Sequence, residues 1–132
     1  MGPLLKRDMD LIRELLLKLE VWPMERGDVV PIVPEDKGFS SLSRSAHEIE
    51  YHLNLLLESG FLDSPSQSNM GIYFRGITWE GHDFLDSVRD PRVWAKTKEG
   101  ALAAGGFTVD LLKDLAKGFV KKQIEDRTGV TL

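Results

Sequence analysis

The chain's most constraining stretch begins with a leucine-rich run. In Ile49-Glu50-Tyr51-His52-Leu53-Asn54-Leu55-Leu56-Leu57-Glu58-Ser59-Gly60-Phe61-Leu62, the apolar residues Ile49, Leu53, Leu56 and Leu57 recur at helical spacing, and Gly60 supplies the left-handed stop that such a helix needs. After Phe61-Leu62 and a polar gap, Ile72-Tyr73-Phe74-Arg75-Gly76-Ile77 puts side chains on alternate faces, with Ile72 and Phe74 sharing one. Thr78 then caps a new helix with Glu80 in its first turn, and Gly81, Phe84, Leu85 and Val88 fall on one face of it. Gly81 on that face lets the backbone come close to the core. Helix, strand, returning strand and helix in this order form the second half of a winged helix. The polar, proline-containing segment Asp63 to Met70 is expected to be the exposed tip between the two strands.

Upstream, Lys6 to Glu20 reads as a helix with Met9, Ile12, Leu15, Leu16 and Leu19 in one stripe and Asp8 and Asp10 near its start. Leu11 and Leu17 lie off that stripe. Leu17 reads either as a scattered surface leucine or as part of a second buried face. Val29-Val30-Pro31-Ile32-Val33 predicts a strand confined to a sheet edge, because proline has no N–H to donate. Phe39 reads as a core plug, and Ser40 to Ser43 offers several helix caps. Little room is left between Val33 and Ser45 for the helix that normally precedes the groove-reading one, so a single turn or none is expected there.

Downstream, Asp90-Pro91 opens a short helix carrying Val93 and Trp94. Ala101 to Gly106 reads as a flexible linker. Thr108 caps a last helix to about Arg127, with Leu112, Leu115, Ala116, Phe119 and Val120 on its apolar stripe and Lys113, Lys117 and Lys121 on another face. The fold class expected is α+β, mainly helical: a winged-helix (helix-turn-helix variant) domain over residues 1–90, with a C-terminal helical extension over 91–132.

Charge divides along the same line. Residues 1–90 carry nine Lys and Arg against sixteen Asp and Glu, a net −7, while residues 91–132 carry eight against five, a net +3. Phosphate attraction therefore favours the tail over the domain. The chain has no cysteine, which excludes disulfides, thiolate metal sites and cysteine nucleophiles. No apolar run approaches the roughly 20 residues that cross a bilayer, and Met1 to Leu5 lacks a signal-peptide pattern. No membrane association and a cytoplasmic setting are expected.

A winged helix lays its second motif helix in the DNA major groove and its hairpin over the backbone. Here the candidate nucleic-acid contacts are Ser43, Arg44, Ser45, His47 and Asn54 on that helix and Arg75 on the hairpin. Glu48 and Glu50 share the surface and oppose phosphate, and cations are few. Two functions follow: a small DNA-binding transcriptional regulator acting on double-stranded DNA as a homodimer, or a protein–protein interaction module without nucleic-acid affinity, whose partner is unknown.

Nothing points to an enzyme, a metal or a cofactor. His47 and His52 stand five apart, about 140° around a helix, so they do not converge on a metal. His52 reads instead as a hydrogen-bonded residue at the core's edge. His82 and Asp86, four apart, read as a pair closing a helical turn. Glu80, Asp83, Asp86 and Asp90 read as a solvated face, and no glycine-rich phosphate loop is present. Trp79 and Trp94 are expected to pack in the core or dock helices. Leu17, Trp94, Leu112, Leu115 and Phe119 form the candidate partner or dimer surface, through the first and last helices.

Three blocks carry a family resemblance: Lys6-Arg7-Asp8-Met9-Asp10-Leu11-Ile12-Arg13; Tyr51-His52-Leu53-Asn54-Leu55-Leu56 with Gly60; and Ile77-Thr78-Trp79-Glu80-Gly81-His82-Asp83-Phe84-Leu85-Asp86 with Arg89-Asp90. Over most of Lys6 to Trp94 the chain resembles the uncharacterised bacterial and phage domain-of-unknown-function family 2513. The resemblance implies a small winged-helix-like protein encoded in phage, prophage or mobile regions, and it implies no established activity. Its first block tends to open the family's sequences, so Met1 to Leu5 is read as an addition.

Overall fold

A computed structural model describes residues 5–65, 71–106 and 108–132. The expected loop tip therefore lies outside the described residues over 66–70, as does most of Met1 to Leu5. The fold is α+β, mainly helical, with two small antiparallel sheets among the described residues. The chain divides into two compact units, residues 1–82 and 83–132.

The first unit opens with α1 (Met9–Glu20). Asp8 caps it, and one carboxylate oxygen accepts from the N–H groups of Asp10 (2.9 Å) and Leu11 (3.3 Å). This cap starts the helix at Met9, so the Lys6 to Asp8 part of the expected helix is not helical. All five stripe residues are buried, and so is Leu11, which the single-stripe reading left outside. Leu17 is half-buried.

β1 (Val30–Ile32) follows, with Pro31 in a two-stranded sheet where every strand is an edge. A 3-10 helix (Lys37–Leu42) then occupies the short span before α2 (Ala46–Glu58). Phe39 on this turn is buried and stacks on Trp22 at 5.0 Å between ring centroids. A Cβ on Gly38 would sit 2.9 Å from the Trp22 ring, so glycine is what lets the indole lie there.

Ser45 caps α2, accepting from the N–H of Glu48 at 3.1 Å. Ile49, His52, Leu53 and Leu56 form its buried face, and Leu57 is half-buried. The helix ends in a Schellman turn. Gly60 (φ +80°) donates to Leu57, and Phe61 donates to Leu56.

β2 (Leu62–Asp63) pairs with β4 (Gly76–Ile77), and β1 pairs with β3 (Ile72–Phe74) in the register Val30↔Phe74 and Ile32↔Ile72. Residues 72–77 are thus one chain path serving two partners. Gly76 (φ +151°) turns the backbone between them, a conformation side chains disfavour. α3 (Trp79–Val88) follows directly. Thr78 fixes the junction: its N–H donates to the Phe61 carbonyl, its hydroxyl donates to the Gly60 carbonyl and accepts from the Gly81 N–H. At Gly81 a Cβ would collide with the Phe61 carbonyl oxygen and lie 2.6 Å from Ile77 Cγ2.

In the second unit α4 (Pro91–Ala103) pairs with α5 (Val109–Thr128) as a helical hairpin. Asp90 caps α4, accepting from the N–H groups of Arg92 and Val93, and Pro91 fills a first-turn position where no N–H is needed. α4 is longer than its sequence implies. Ala101, expected in a linker, is fully buried on it, because small residues let the two helices approach. Gly100 does the same, with Leu115 Cδ1 3.3 Å from where its Cβ would be. Val93, Trp94 and Thr97 are buried on α4, and Leu112 and Ala116 on α5.

Candidate functional site

Of the residues expected to face DNA, Arg44 and Arg75 are each engaged by carboxylates of the same unit. Arg44 precedes the Ser45 cap and reaches back to α1, donating to the outer carboxylate oxygen of Asp8 at 2.7 Å. Its other nitrogen lies 3.4 Å from Glu48 of α2. Ser45 and Glu48 are three apart, and the Ser45 hydroxyl also lies 3.3 Å from the Glu48 carboxylate.

His52, one turn further along α2, is buried. Its Nε2 accepts from the Asp8 backbone N–H at 2.9 Å, and its Nδ1 lies 2.8 Å from the Glu48 carbonyl. Since Nε2 must accept, Nδ1 carries the proton and donates to that carbonyl. Asp8 thus caps α1 with one oxygen, holds Arg44 with the other, and is itself held by His52. Burial alone would raise the Asp8 carboxyl. The Arg44 hydrogen bond, the Leu11 N–H, the Arg44 charge and the Asp10 N–H together outweigh it and hold it below the usual carboxylate value.

Arg75 is treated the same way. Its Nε and one terminal nitrogen make a two-pronged contact with the Asp63 carboxylate at 2.9 and 3.1 Å, and its N–H donates to the Asp63 carbonyl at 2.9 Å. The Arg75 hydrogen bond, with the guanidinium charge behind it, lowers the Asp63 carboxyl against a small opposing effect of burial. Both arginines of the expected DNA face are therefore neutralised by carboxylates of the same unit. Ser43, His47 and Asn54 are exposed. Ser43 stands in the left-handed region (φ +55°), and the Asn54 amide donates to the Glu50 carbonyl at 3.0 Å.

The expected partner surface is rearranged. Trp94 and Leu112 are buried, so neither offers an outer face. Leu115, Phe119 and Leu17 are half-buried. Trp79 is the reverse case: expected in the core, it is 78% exposed. Asp86 pairs with Arg89 at 2.9 Å rather than with His82. Among the described residues no group of three or more His, Asp or Glu could hold a metal ion, and no helix is long and apolar enough to cross a membrane.

Each unit carries a shallow groove lined by described residues. One in the first unit, about 240 Å³, is lined by Leu19, Trp22, Met24, Phe74 and Ile77 with charged residues at its rim. One in the second unit, about 330 Å³, has Val120, Ile124 and Leu132 as its floor and Lys117, Lys121 and Asp86 at its edge. The roles of Asp8 and Asp63 escaped sequence reasoning. The Ser45-x-x-Glu48 spacing of a capping box was the available signal for Glu48. No sequence signal pairs Asp63 with Arg75, twelve residues further on.

By architecture this is a mainly helical α+β protein whose first unit ties two capped helices to a split strand. The chain belongs to the family described as hypothetical protein (DUF2513), which matches residues 6–107. It is also 31% identical over 124 residues to an uncharacterized protein of Haemophilus influenzae, a match covering 91% of this chain and 99% of that one. No solved structure matches the chain.

Proposed function

We propose that the first unit is a winged-helix domain, of the kind encoded by phages and mobile elements, and that it acts as a protein-interaction module rather than a reader of nucleic acid. The element order supports the winged helix: α1, β1, a 3-10 turn where a partner helix would be, α2, β2, and a strand returning to both β2 and β1. The observation that carries the functional reading is the pairing of Arg44 with Asp8 and Glu48 and of Arg75 with Asp63. DNA affinity comes largely from cations free to neutralise phosphates. Here a phosphate would have to displace a carboxylate already in place, on a unit whose residues 1–82 carry eight Lys and Arg against thirteen Asp and Glu, a net −5.

A DNA-binding regulator is the second reading. It is favoured by the exposed His47 and Asn54 on the outer face of α2, where base contacts would fall. Fluorescence anisotropy with a mixed-sequence duplex at two salt concentrations separates the two. The interaction module predicts no binding at low salt beyond what the α5 lysines produce, so Arg44→Ala plus Arg75→Ala leaves the titration unchanged. Salt-sensitive binding lost in that double variant would establish the regulator instead.

A further inference from the structure

The exposed Trp79 and the lysine-rimmed groove of the second unit complement each other. Trp79 opens α3 and is the most exposed of the chain's large apolar side chains among the described residues. At about 100° per residue, the buried Phe84, Leu85 and Val88 lie on the opposite side of α3, while Asp83 and Asp86 share the side of Trp79. Glu80 and Asp83 beside it are exposed. An indole standing in water among carboxylates is an apolar anchor that seeks a greasy slot and a cationic rim.

The groove has that composition. Its floor is Val120, Ile124 and Leu132, of which Ile124 and Leu132 are 42% and 56% exposed, and its rim carries the exposed Lys117 and Lys121. Its remaining edge is Asp86 and Ser87 of α3 itself. Along that continuous helix, the groove edge lies seven residues from Trp79, about 10 Å, on the same side.

We propose that the groove receives Trp79 from a second copy of this chain. The indole lies on Val120, Ile124 and Leu132, with Lys117 and Lys121 set against Glu80 and Asp83. The exchange is reciprocal about a twofold axis: each copy gives its Trp79 and receives the other's. Such a pairing is closed, so it stops at two chains. The surface differs from the Leu17, Trp94, Leu112, Leu115 and Phe119 set expected from sequence, part of which is buried. The inference rests on reading the chain as an interaction module, and names self-association as one of its contacts.

The test is light scattering with sedimentation equilibrium on the full chain, from about 10 to 500 μM, in low and high salt. The expected result is a reversible monomer–dimer equilibrium that weakens as salt rises. Trp79→Ala, at an exposed position that leaves folding intact, should raise the dimer dissociation constant about 30-fold or more, as removal of an interface hot spot does. Lys117→Glu plus Lys121→Glu should do likewise. Mixing the two variants restores one intact anchor-and-groove contact, so the mixture should associate more tightly than either variant alone. A chain that stays monomeric at the highest concentration overturns the inference, as does a dimer indifferent to both variants. Either failure leaves the interaction-module reading standing on the DNA titration, which is scored separately.

Discussion

Replacing Arg44 by alanine tests whether this arginine serves the fold. In the native unit it donates to Asp8 at 2.7 Å and approaches Glu48 at 3.4 Å, with about a third of each of the three side chains exposed (32%, 33% and 34%). A hydrogen bond between ionised partners contributes about 1.5–3 kcal/mol when shielded, whereas exposed ion pairs contribute about 0.2–1 kcal/mol. Partial exposure places Arg44→Ala between these, at about 1–2 kcal/mol. Asp8→Ala removes the same contact and also the α1 cap, itself about 0.5–2 kcal/mol, and should cost more. A double-mutant cycle isolates the shared part, expected at about 0.5–1 kcal/mol and shrinking in high salt. The assay is thermal unfolding by circular dichroism of the full chain, together with hydrogen exchange on the amides of α1 and α2. For a unit of this size the single Arg44 variant should lose about 5–10 °C. An unchanged melting curve and a coupling energy indistinguishable from zero would refute the structural role and return Arg44 to the solvent, available for phosphate.

Other outcomes follow from the same contacts. His52→Phe fills the buried space but leaves the Asp8 N–H without its acceptor, while the Glu48 carbonyl keeps its helical bond, so it should lower stability by about 1–3 kcal/mol, read by urea unfolding. Gly81→Ala should cost about 1–3 kcal/mol, because the added Cβ meets the Phe61 carbonyl and Ile77, and a neutral result would mean that junction is loose. The carboxyls of Asp8, Asp63 and Asp90 are all lowered from the ordinary 3.8. For Asp90 the leading cause is the Arg92 N–H, followed by a smaller opposing effect of burial and then the Val93 N–H. Their stabilisation is fully present above that ordinary value and is lost as pH falls through the lower folded values. Acid unfolding should therefore be shallower in Asp8→Asn than in the natural chain, measured as melting temperature against pH.

The legible parts of the fold were those with local causes. Gly60 stops α2 because its left-handed turn needs no information from elsewhere. Thr78 and Gly81 mark the start of α3 for similar reasons, and the leucine stripes of α1 and α2 mark their own buried sides. Leu11 shows the limit of one stripe: a helix packed on more than one element buries a wider arc than its strongest periodicity reveals. The helical phase of α3 did hold the answer for Trp79, since it falls with Asp83 and Asp86 and opposite Phe84. The general expectation that tryptophan is buried overrode it. Ala101 was hidden because small residues read equally well as linker and as close helix contact. The candidate site was least legible. Arg44 and Arg75 were visible as cations, but their partners Asp8 and Asp63 lie 36 and 12 residues away, joined to them only by the tertiary fold.

Both arginines are held by carboxylates rather than presented to phosphate. The most direct measurement is nuclear magnetic resonance of the arginine side-chain Nε–H groups at low salt, before and after addition of duplex DNA. Slowly exchanging, well-dispersed Arg44 and Arg75 signals are expected, unmoved when DNA is added and collapsing toward free arginine in Asp8→Asn and Asp63→Asn respectively. Signals already averaged in the natural chain, or shifting in step with added duplex, would contradict this.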